Sequence, residues 1–299
     1  MSRATSSSTG RPYGLARVCQ VWEMPRSTVY ASRARSRPPA QPPAKRGPKT
    51  AWTDAALTEQ VRTILAHSPF LGEGHRKVWA RLRLVGTRTS KARVLRLMGQ
   101  ARLLAPTRAG NRHGPKAHDG TLSTERPNQM WGTDATTYLT TREGTATVFV
   151  AVDHCTAECI GIHAARPGTR FEALEPLRQG VREYLGGYGA GVAAGLVLRH
   201  DHGSQYLSDH FQDEIRFLGI ASSPAFVGEP EGNGCAERFI RTLKEQLLWV
   251  QTFATVEELR LAVLAFKERY NREWLIERHH YATPRQTRQK LLACPGVAA

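Results

Sequence analysis

WGTDATTYLTTREGTATVFVAVDHCTAECIGIHA, residues 131–164, is the stretch on which the fold turns. Within it, 131–139, 146–152 and 159–164 are short runs rich in β-branched, aromatic and other apolar residues. Thr141-Arg-Glu-Gly144 separates the first two with turn composition, so the stretch reads as a β-meander. Downstream, the pattern predicts a helix over 170–184, ended by Gly186-Gly187, and a buried strand over 195–200. A helix over 209–218, a short strand over 220–222, a Gly/Pro/Glu loop over 226–234 and a helix over about 235–250 follow. Three strands, helix, strand, helix, strand, helix is the order of an α/β fold built on a mixed sheet flanked by helices.

Upstream the composition changes. The chain carries 42 Lys+Arg against 26 Asp+Glu, a formal charge of +16. The first 130 residues hold 24 basic and 6 acidic residues, so that half alone is +18 and the rest is close to neutral. A basic half of this strength with helical patterning is the electrostatic footprint of a phosphate-backbone binder. It divides into a disordered tail (1–12), a helix-turn-helix-like segment (13–34), a Pro-rich basic linker (35–51), an all-α DNA-binding domain (52–105) and a basic linker (106–127). The α/β core spans 128–275, and a C-terminal tail closes the chain at 276–299.

In the segment 13–34 the helical pattern breaks at Met24-Pro25. Arg26, Ser27, Thr28 and Tyr30 begin the second helix, where a recognition helix presents residues to base edges; a plain helical hairpin fits equally well. In 52–105, Leu57, Val61, Ile64 and Leu65 form one apolar stripe, and Ser90 is placed to cap a later helix. Arg76, Lys77, Arg81, Arg83, Arg88, Lys91, Arg93 and Arg96 are expected on outward faces, against phosphates.

Several classes are excluded. No apolar run approaches a bilayer span, and the first ten residues carry no signal-type apolar region, so a cytoplasmic, nucleoid-associated protein with no membrane partner is expected. No Walker-type loop is present. His154, Cys155, Cys159 and His163 match no zinc spacing, and five irregularly spaced cysteines do not read as a disulfide framework. Asp153 reads as a strand-end residue, Trp131 and Tyr206 as core; His200 and His202 fit either site-tuning or structural roles.

Three acidic residues remain. Asp134 lies in the first strand, Asp201 just past the carboxyl end of the fourth, and Glu237 in the first turn of the helix after the loop. Carboxyl ends of strands are where α/β sheets place their chemistry. If strands one and four are neighbours, the three converge, and such a cluster calls for a hard cation, Mg²⁺ or Mn²⁺. Two such ions serve in-line phosphoryl transfer. At 100° per residue Glu237, Arg241, Lys244 and Leu248 share one face, while Phe239, Ile240, Leu243 and Leu247 face the sheet. A Glu with a basic residue at i+4 is also an ordinary surface ion pair.

Trp131-Gly-Thr-Asp134, His200-Asp201-His-Gly-Ser-Gln-Tyr206 and Gly232-Asn-Gly-Cys-Ala-Glu237-Arg-Phe-Ile-Arg-Thr-Leu-Lys244, in this order, resemble bacterial insertion-sequence transposases of the OrfB type (the insertion-sequence-three group), whose core is similar to retroviral integrases. In that superfamily an Asp, a second Asp and a Glu after 35 intervening residues bind the metals, and 35 residues separate Asp201 from Glu237. A basic residue seven past the Glu is also typical, and Lys244 stands there. The resemblance covers about residues 13–292.

It implies an RNase H-like catalytic core over 128–275 with Asp134, Asp201 and Glu237 as catalytic metal ligands for two Mg²⁺ or Mn²⁺ ions. It also implies DNA contacts from Arg241 and Lys244, and cleavage and strand transfer of double-stranded DNA, both element ends and target. Homo-oligomers on DNA, and fusion with an upstream-frame DNA-binding protein, belong to the same expectation. The sequence departs from the family at Gly232-Asn-Gly-Cys, where many relatives carry Asp-Asn, and at His280, where relatives often have Gly. The alternatives are a catalytically inactive, domesticated DNA-binding protein and a plain hydrolytic nuclease of the same fold.

Overall fold

Pro25 cannot continue a helix, and the chain turns there. Helix α1 (Leu15–Val21) stops ahead of it and α2 (Arg26–Arg35) starts behind it. The computed structural model describes residues 4–35, 51–106, 124–225 and 233–293, so most of both basic linkers and of the 226–234 loop lies outside the described residues. The chain falls into two units, Met1–Ala51 and Trp52–Ala299. In the first, Cys19 is the one buried hydrophobic residue among those described, and Val21, Trp22, Met24 and Tyr30 stay exposed.

The second unit begins with three helices, α3 (Asp54–His67), α4 (His75–Leu84) and α5 (Lys91–Gln100). Thr53 and Ser90 cap α3 and α5 by accepting backbone N–H groups at the third position beyond. Leu57, Val61, Val78, Leu82, Val94, Leu97 and Met98 form a core of their own, with Ile64 and Leu65 packed against it. The expectation that every cation here faces outward is corrected. Arg93 and Arg96 both bind Asp54, Arg81 makes two hydrogen bonds to the buried Glu73, and Lys77 lies over the Trp274 ring. Helices this rich in Arg neutralise part of their charge locally, since withdrawing a cationic head from water without a partner is expensive. Arg83 and Arg88 remain exposed.

β1 (Met130–Thr140), β2 (Gly144–Asp153) and β3 (Cys159–Ala165) form the expected antiparallel meander. Thr140 closes its first turn, donating to the Gly144 carbonyl and accepting from Glu143 N–H, while Gly144 takes a φ of +79°. α6 (Arg170–Tyr184) crosses to β4 (Val197–His200), and α7 (Ser204–Leu207) and α8 (Asp209–Leu218) lead to β5 (Ala221–Pro224). The sheet order is β3-β2-β1-β4-β5, with β4 and β5 parallel to β1. This mixed five-stranded sheet flanked by helices is the RNase H-like fold.

Alternation along β1 and β2 sorts the layers. Trp131, Phe149 and Ala151 pack with α6 and α8. Val148, Val150 and Val152 pack with α9 (Gly234–Leu243) and α10 (Val256–Glu273) on the opposite face. Gly161 lets α6 close on β3, since a Cβ there would lie 1.9 Å from the Pro176 carbonyl oxygen. The chain then turns through His280 and Tyr281, at φ +54° and +64°, into α11 (Pro284–Ala293). The positive φ explains why glycine suits position 280. Arg288 of α11 is buried against Glu158 and donates to Asn128 Oδ1 at 2.9 Å, which fastens α11 to the β2–β3 turn. No helix among the described residues is long and apolar enough to cross a membrane.

Candidate active site

β1 and β4 are neighbours, the condition on which convergence rested. Their parallel ladder pairs Met130 with Val197, Trp131 with Leu198 and Gly132 with Arg199. The same register carried two residues further sets Asp134 level with Asp201, which immediately follows β4. Gly132 and Asp134 share a face of β1 by alternation, and a Cβ on Gly132 would meet Asn233 at the head of α9. Asp134 therefore points to the layer that carries Glu237 in the first turn of α9. Asp134 is half-buried and its Oδ1 accepts the Ala135 N–H at 2.7 Å; Asp201 is exposed and its Oδ1 accepts the Gly203 N–H at 2.8 Å.

Burial pushes the Asp134 carboxyl up to about 6, and the charges of Asp201 and Glu237 push the same way. The Ala135 N–H and the Lys244 ammonium oppose them. Burial also raises Glu237. Three carboxylates and one lysine thus share a single electrostatic neighbourhood. Among the described residues no group of three or more His, Cys, Asp or Glu side chains is gathered closely enough to hold a metal ion. The arrangement is an open set of oxygen donors, not a closed cage.

The helix that carries Glu237 departs from the expected geometry. α9 ends at Leu243 and continues as a π-helical turn, Lys244–Leu248. The wider turn rotates less per residue and so retards the phase, and Leu248 is buried in the core with Leu247 and does not share the Glu237 face. Phe239, Ile240, Leu243 and Leu247 are buried as expected. Lys244 is half-buried at the start of the turn. Arg241 is exposed and pairs with Glu245 at 3.1 Å, not with Glu237. Arg26, Ser27, Thr28 and Tyr30 all stand exposed on α2, in the other unit.

Around the carboxylates the structure adds residues that spacing did not reveal. Asn233, one residue before α9, is buried and donates from Nδ2 to the Thr133 carbonyl at 2.9 Å. Its place ahead of a helix suggests a cap, but its side chain makes no cap bond and reaches across to β1. His200 is buried with Nδ1 2.7 Å from the Asp201 carbonyl and Nε2 2.9 Å from Ser222 Oγ, a structural role; burial lowers its pKa. Asp153 is likewise structural, accepting Asn128 N–H, Thr156 N–H and Thr156 Oγ–H. His163 pairs with Glu172 at 2.7 Å, and Cys155 and Cys159 are buried free thiols.

Two family models, both described as an integrase core domain, match residues 124–230 and 218–287. The chain is 25% identical over 293 residues to the transposase for insertion sequence element IS629 of Shigella sonnei, covering 95% of this chain and 94% of the relative. It is 28% identical over 210 residues to transposase InsD of insertion element IS2 of Escherichia coli, covering 66% and 69% of the two chains. Among solved structures it is similar to the simian T-cell lymphotropic virus intasome in complex with PP2A regulatory subunit B56 gamma, at a TM-score of 0.47 and 18% identity over 77% of this chain and 74% of that one. It is also similar to the HTLV-2 integrase catalytic core domain in complex with magnesium, at 0.40 and 20% over 55% and 98%. With an integrase core domain matched from residue 124 to residue 287, and a relative matched along almost its whole length, the chain carries an integrase core and is similar to the bacterial insertion-sequence transposases.

Proposed function

We propose that this chain serves DNA transposition by metal-dependent cleavage and joining of DNA strands, with Asp134, Asp201 and Glu237 as the metal-binding carboxylates. The observation that carries this reading is the parallel β1–β4 register, which sets Asp201 level with Asp134. The Asp134 carboxyl is raised to about 6 by burial and by the charges of Asp201 and Glu237, which lie on two other elements. Three carboxylates on one side of a sheet repel one another as they draw together, and a hard divalent cation between them offsets that repulsion. The donor set, all oxygen, fits Mg²⁺ or Mn²⁺. Bound there, such ions supply charge neutralisation for an in-line displacement at phosphorus.

The residues of the chain do the rest. Asp134, Asp201 and Glu237 act as ligands and not as nucleophiles, so no covalent enzyme–DNA species forms. Water attacks a phosphodiester at an element end, the bond to the 3′ oxygen breaks, and a 3′-OH is released. That hydroxyl then attacks a second phosphodiester: the new P–O bond forms as the target's bond to its own 3′ oxygen breaks, the attacking hydroxyl loses its proton and the departing 3′ oxygen takes one up, so one phosphodiester replaces another and no nucleotide hydrolysis is required. Lys244 lies within the field of Asp134 and is placed to meet a DNA phosphate beside the carboxylates. Double-stranded DNA is the partner, and assembly on two element ends requires more than one copy of the chain.

The test uses the full chain with duplexes carrying the element's own ends. Glu237→Gln keeps DNA binding and loses nicking and strand transfer; near-normal catalysis by this variant overturns the ligand assignment. Binding without nicking by the unaltered chain in Mg²⁺ or Mn²⁺ supports a decayed, DNA-binding protein instead. Nicked products without joined strands support a hydrolytic nuclease.

A further inference from the structure

Ahead of Glu237 the sequence carries Gly232-Asn-Gly-Cys where many relatives have an Asp-Asn pair. What fixes the start of α9 is therefore a question for the residues at its head. Asn233 is 4% exposed and bridges 100 residues of chain to donate from Nδ2 to the Thr133 carbonyl, itself inside the sheet. Thr133 is fully buried, and its hydroxyl donates to the Val150 carbonyl at 2.9 Å, which ties this residue of β1 to β2. The next residue along β1 is Asp134, and Glu237 lies one helical turn beyond Asn233 on α9.

The contact is also sterically enforced. A Cβ on Gly132 would lie 2.7 Å from Asn233 Oδ1 and 2.7 Å from His154 Nε2, so β1 and the head of α9 meet where glycine alone leaves room. Asn233 Oδ1 is buried with no hydrogen-bond partner in this arrangement. The amide is thus oriented by its nitrogen, which donates to the Thr133 carbonyl, and not by its oxygen. Behind it, Cys235 packs its thiol 3.8 Å from the Asp153 carbonyl, which closes the seam between α9 and the end of β2.

We propose that Asn233 is a positioning residue for the active site, a clip from the head of α9 to the backbone beside Asp134 that sets the separation between the Asp134 and Glu237 carboxylates. It rests on the reading of these carboxylates as metal ligands. Asn233 touches neither substrate nor cation. It acts through the two carboxylates it holds in register, as outer-shell groups act on metal ligands.

The experiment compares the full-length chain with Asn233→Asp and Asn233→Ala. Asp is isosteric but replaces the Nδ2 donor with a second acceptor facing the Thr133 carbonyl. Three readouts are taken: Mn²⁺ affinity by electron paramagnetic resonance of the free ion in the absence of DNA, the split of nicking into kcat and KM for an element-end duplex, and the melting curve. Both variants melt cooperatively, keep KM within about twofold, weaken Mn²⁺ binding by about tenfold or more, and lower kcat by a similar factor. Wild-type Mn²⁺ affinity and kcat in Asn233→Asp overturn the proposal, since a folded chain then needs no donor at this position. So does a loss confined to KM, which would make Asn233 a DNA contact. Should one variant fail to fold, the other carries the test; should both fail, Asn233→Ser, whose shorter side chain cannot deliver the amide donor, takes their place, and wild-type Mn²⁺ affinity in it overturns the proposal. Failure of the underlying site is distinguished by Glu237→Gln: if that variant binds Mn²⁺ and nicks normally, the ligand assignment falls; if it does not while Asn233→Asp is unchanged, the clip alone falls.

Discussion

Replacing Asp134 by Asn is expected to inactivate the protein and to stabilise it. The carboxyl of Asp134 is raised from 3.8 to about 6, chiefly by burial and further by the charges of Asp201 and Glu237. A carboxylate whose folded pKa lies above its unfolded value destabilises the fold wherever it is ionised. Its favourable contribution is complete below about 3.8 and is lost as pH rises through about 6. The shift is roughly two units, and at about 1.4 kcal/mol per unit the ionised carboxylate costs at most about 3 kcal/mol at pH 7.5. An isosteric amide removes that charge. Melting of the metal-free protein at pH 7.5 should rise by roughly 5–10 °C, at about 2–4 °C per kcal/mol for a unit of this size. The gain should shrink as pH falls from 6 toward 4, because the wild-type carboxyl is then protonated in the folded state. The assay is a pair of melts in chelator, at pH 7.5 and 4.5, for wild type and Asp134→Asn. Adding Mn²⁺ should raise the wild-type midpoint and leave that of the variant nearly unchanged. An Asp134→Asn protein that melts at or below the wild-type temperature at pH 7.5 would refute the claim that the ionised Asp134 carboxylate is held in place at a cost to the fold.

Other outcomes follow from the same geometry. Lys244→Ala should weaken DNA binding and lower the slope of log affinity against log salt by about one, read from filter binding at several salt concentrations; an unchanged slope removes Lys244 from the phosphate contacts. Arg288→Met should destabilise the chain by about 3–5 kcal/mol in urea unfolding, because it strips the fully buried Asp153 and nearly buried Glu158 of a compensating charge; a loss under about 1 kcal/mol would show the cluster to be dispensable. Gly132→Ala should lower stability by about 1–3 kcal/mol through the 2.7 Å approaches to Asn233 and His154, with metal affinity falling alongside; a neutral effect would mean that the seam relaxes freely.

Much of the fold was legible because its signals are local. The helix over 170–184 coincides with α6, and the helix over 209–218 with α8, where Gly219 takes the left-handed conformation that ends it. The β-meander and Ser90 cap were legible for the same reason, since alternation and capping are written within a few residues. The strand read over 195–200 is shorter, Val197–His200, because its length is set by the partners it finds on either side. The expected outward placement of Lys77, Arg81 and Arg93 failed because their partners, Trp274, Glu73 and Asp54, are brought in by packing and not by helical period. The run from Glu237 to Leu248 misled for another reason: a uniform 100° per residue does not hold across the π-helical turn.

Taken by itself, the amino-acid order determined the sequence of strands and helices, the strongly basic first half and the spacing of Asp134, Asp201 and Glu237, all properties carried by neighbouring or countable residues. Only the folded chain decided that β1 and β4 pair in the register that sets Asp134 level with Asp201, that the Lys244 charge acts on Asp134, and that Asn233 fastens α9 to the strand beside Asp134. Those outcomes depend on pairings between segments tens to a hundred residues apart. Such pairings are chosen by burial and hydrogen-bond satisfaction across the whole unit, and no window of sequence contains them.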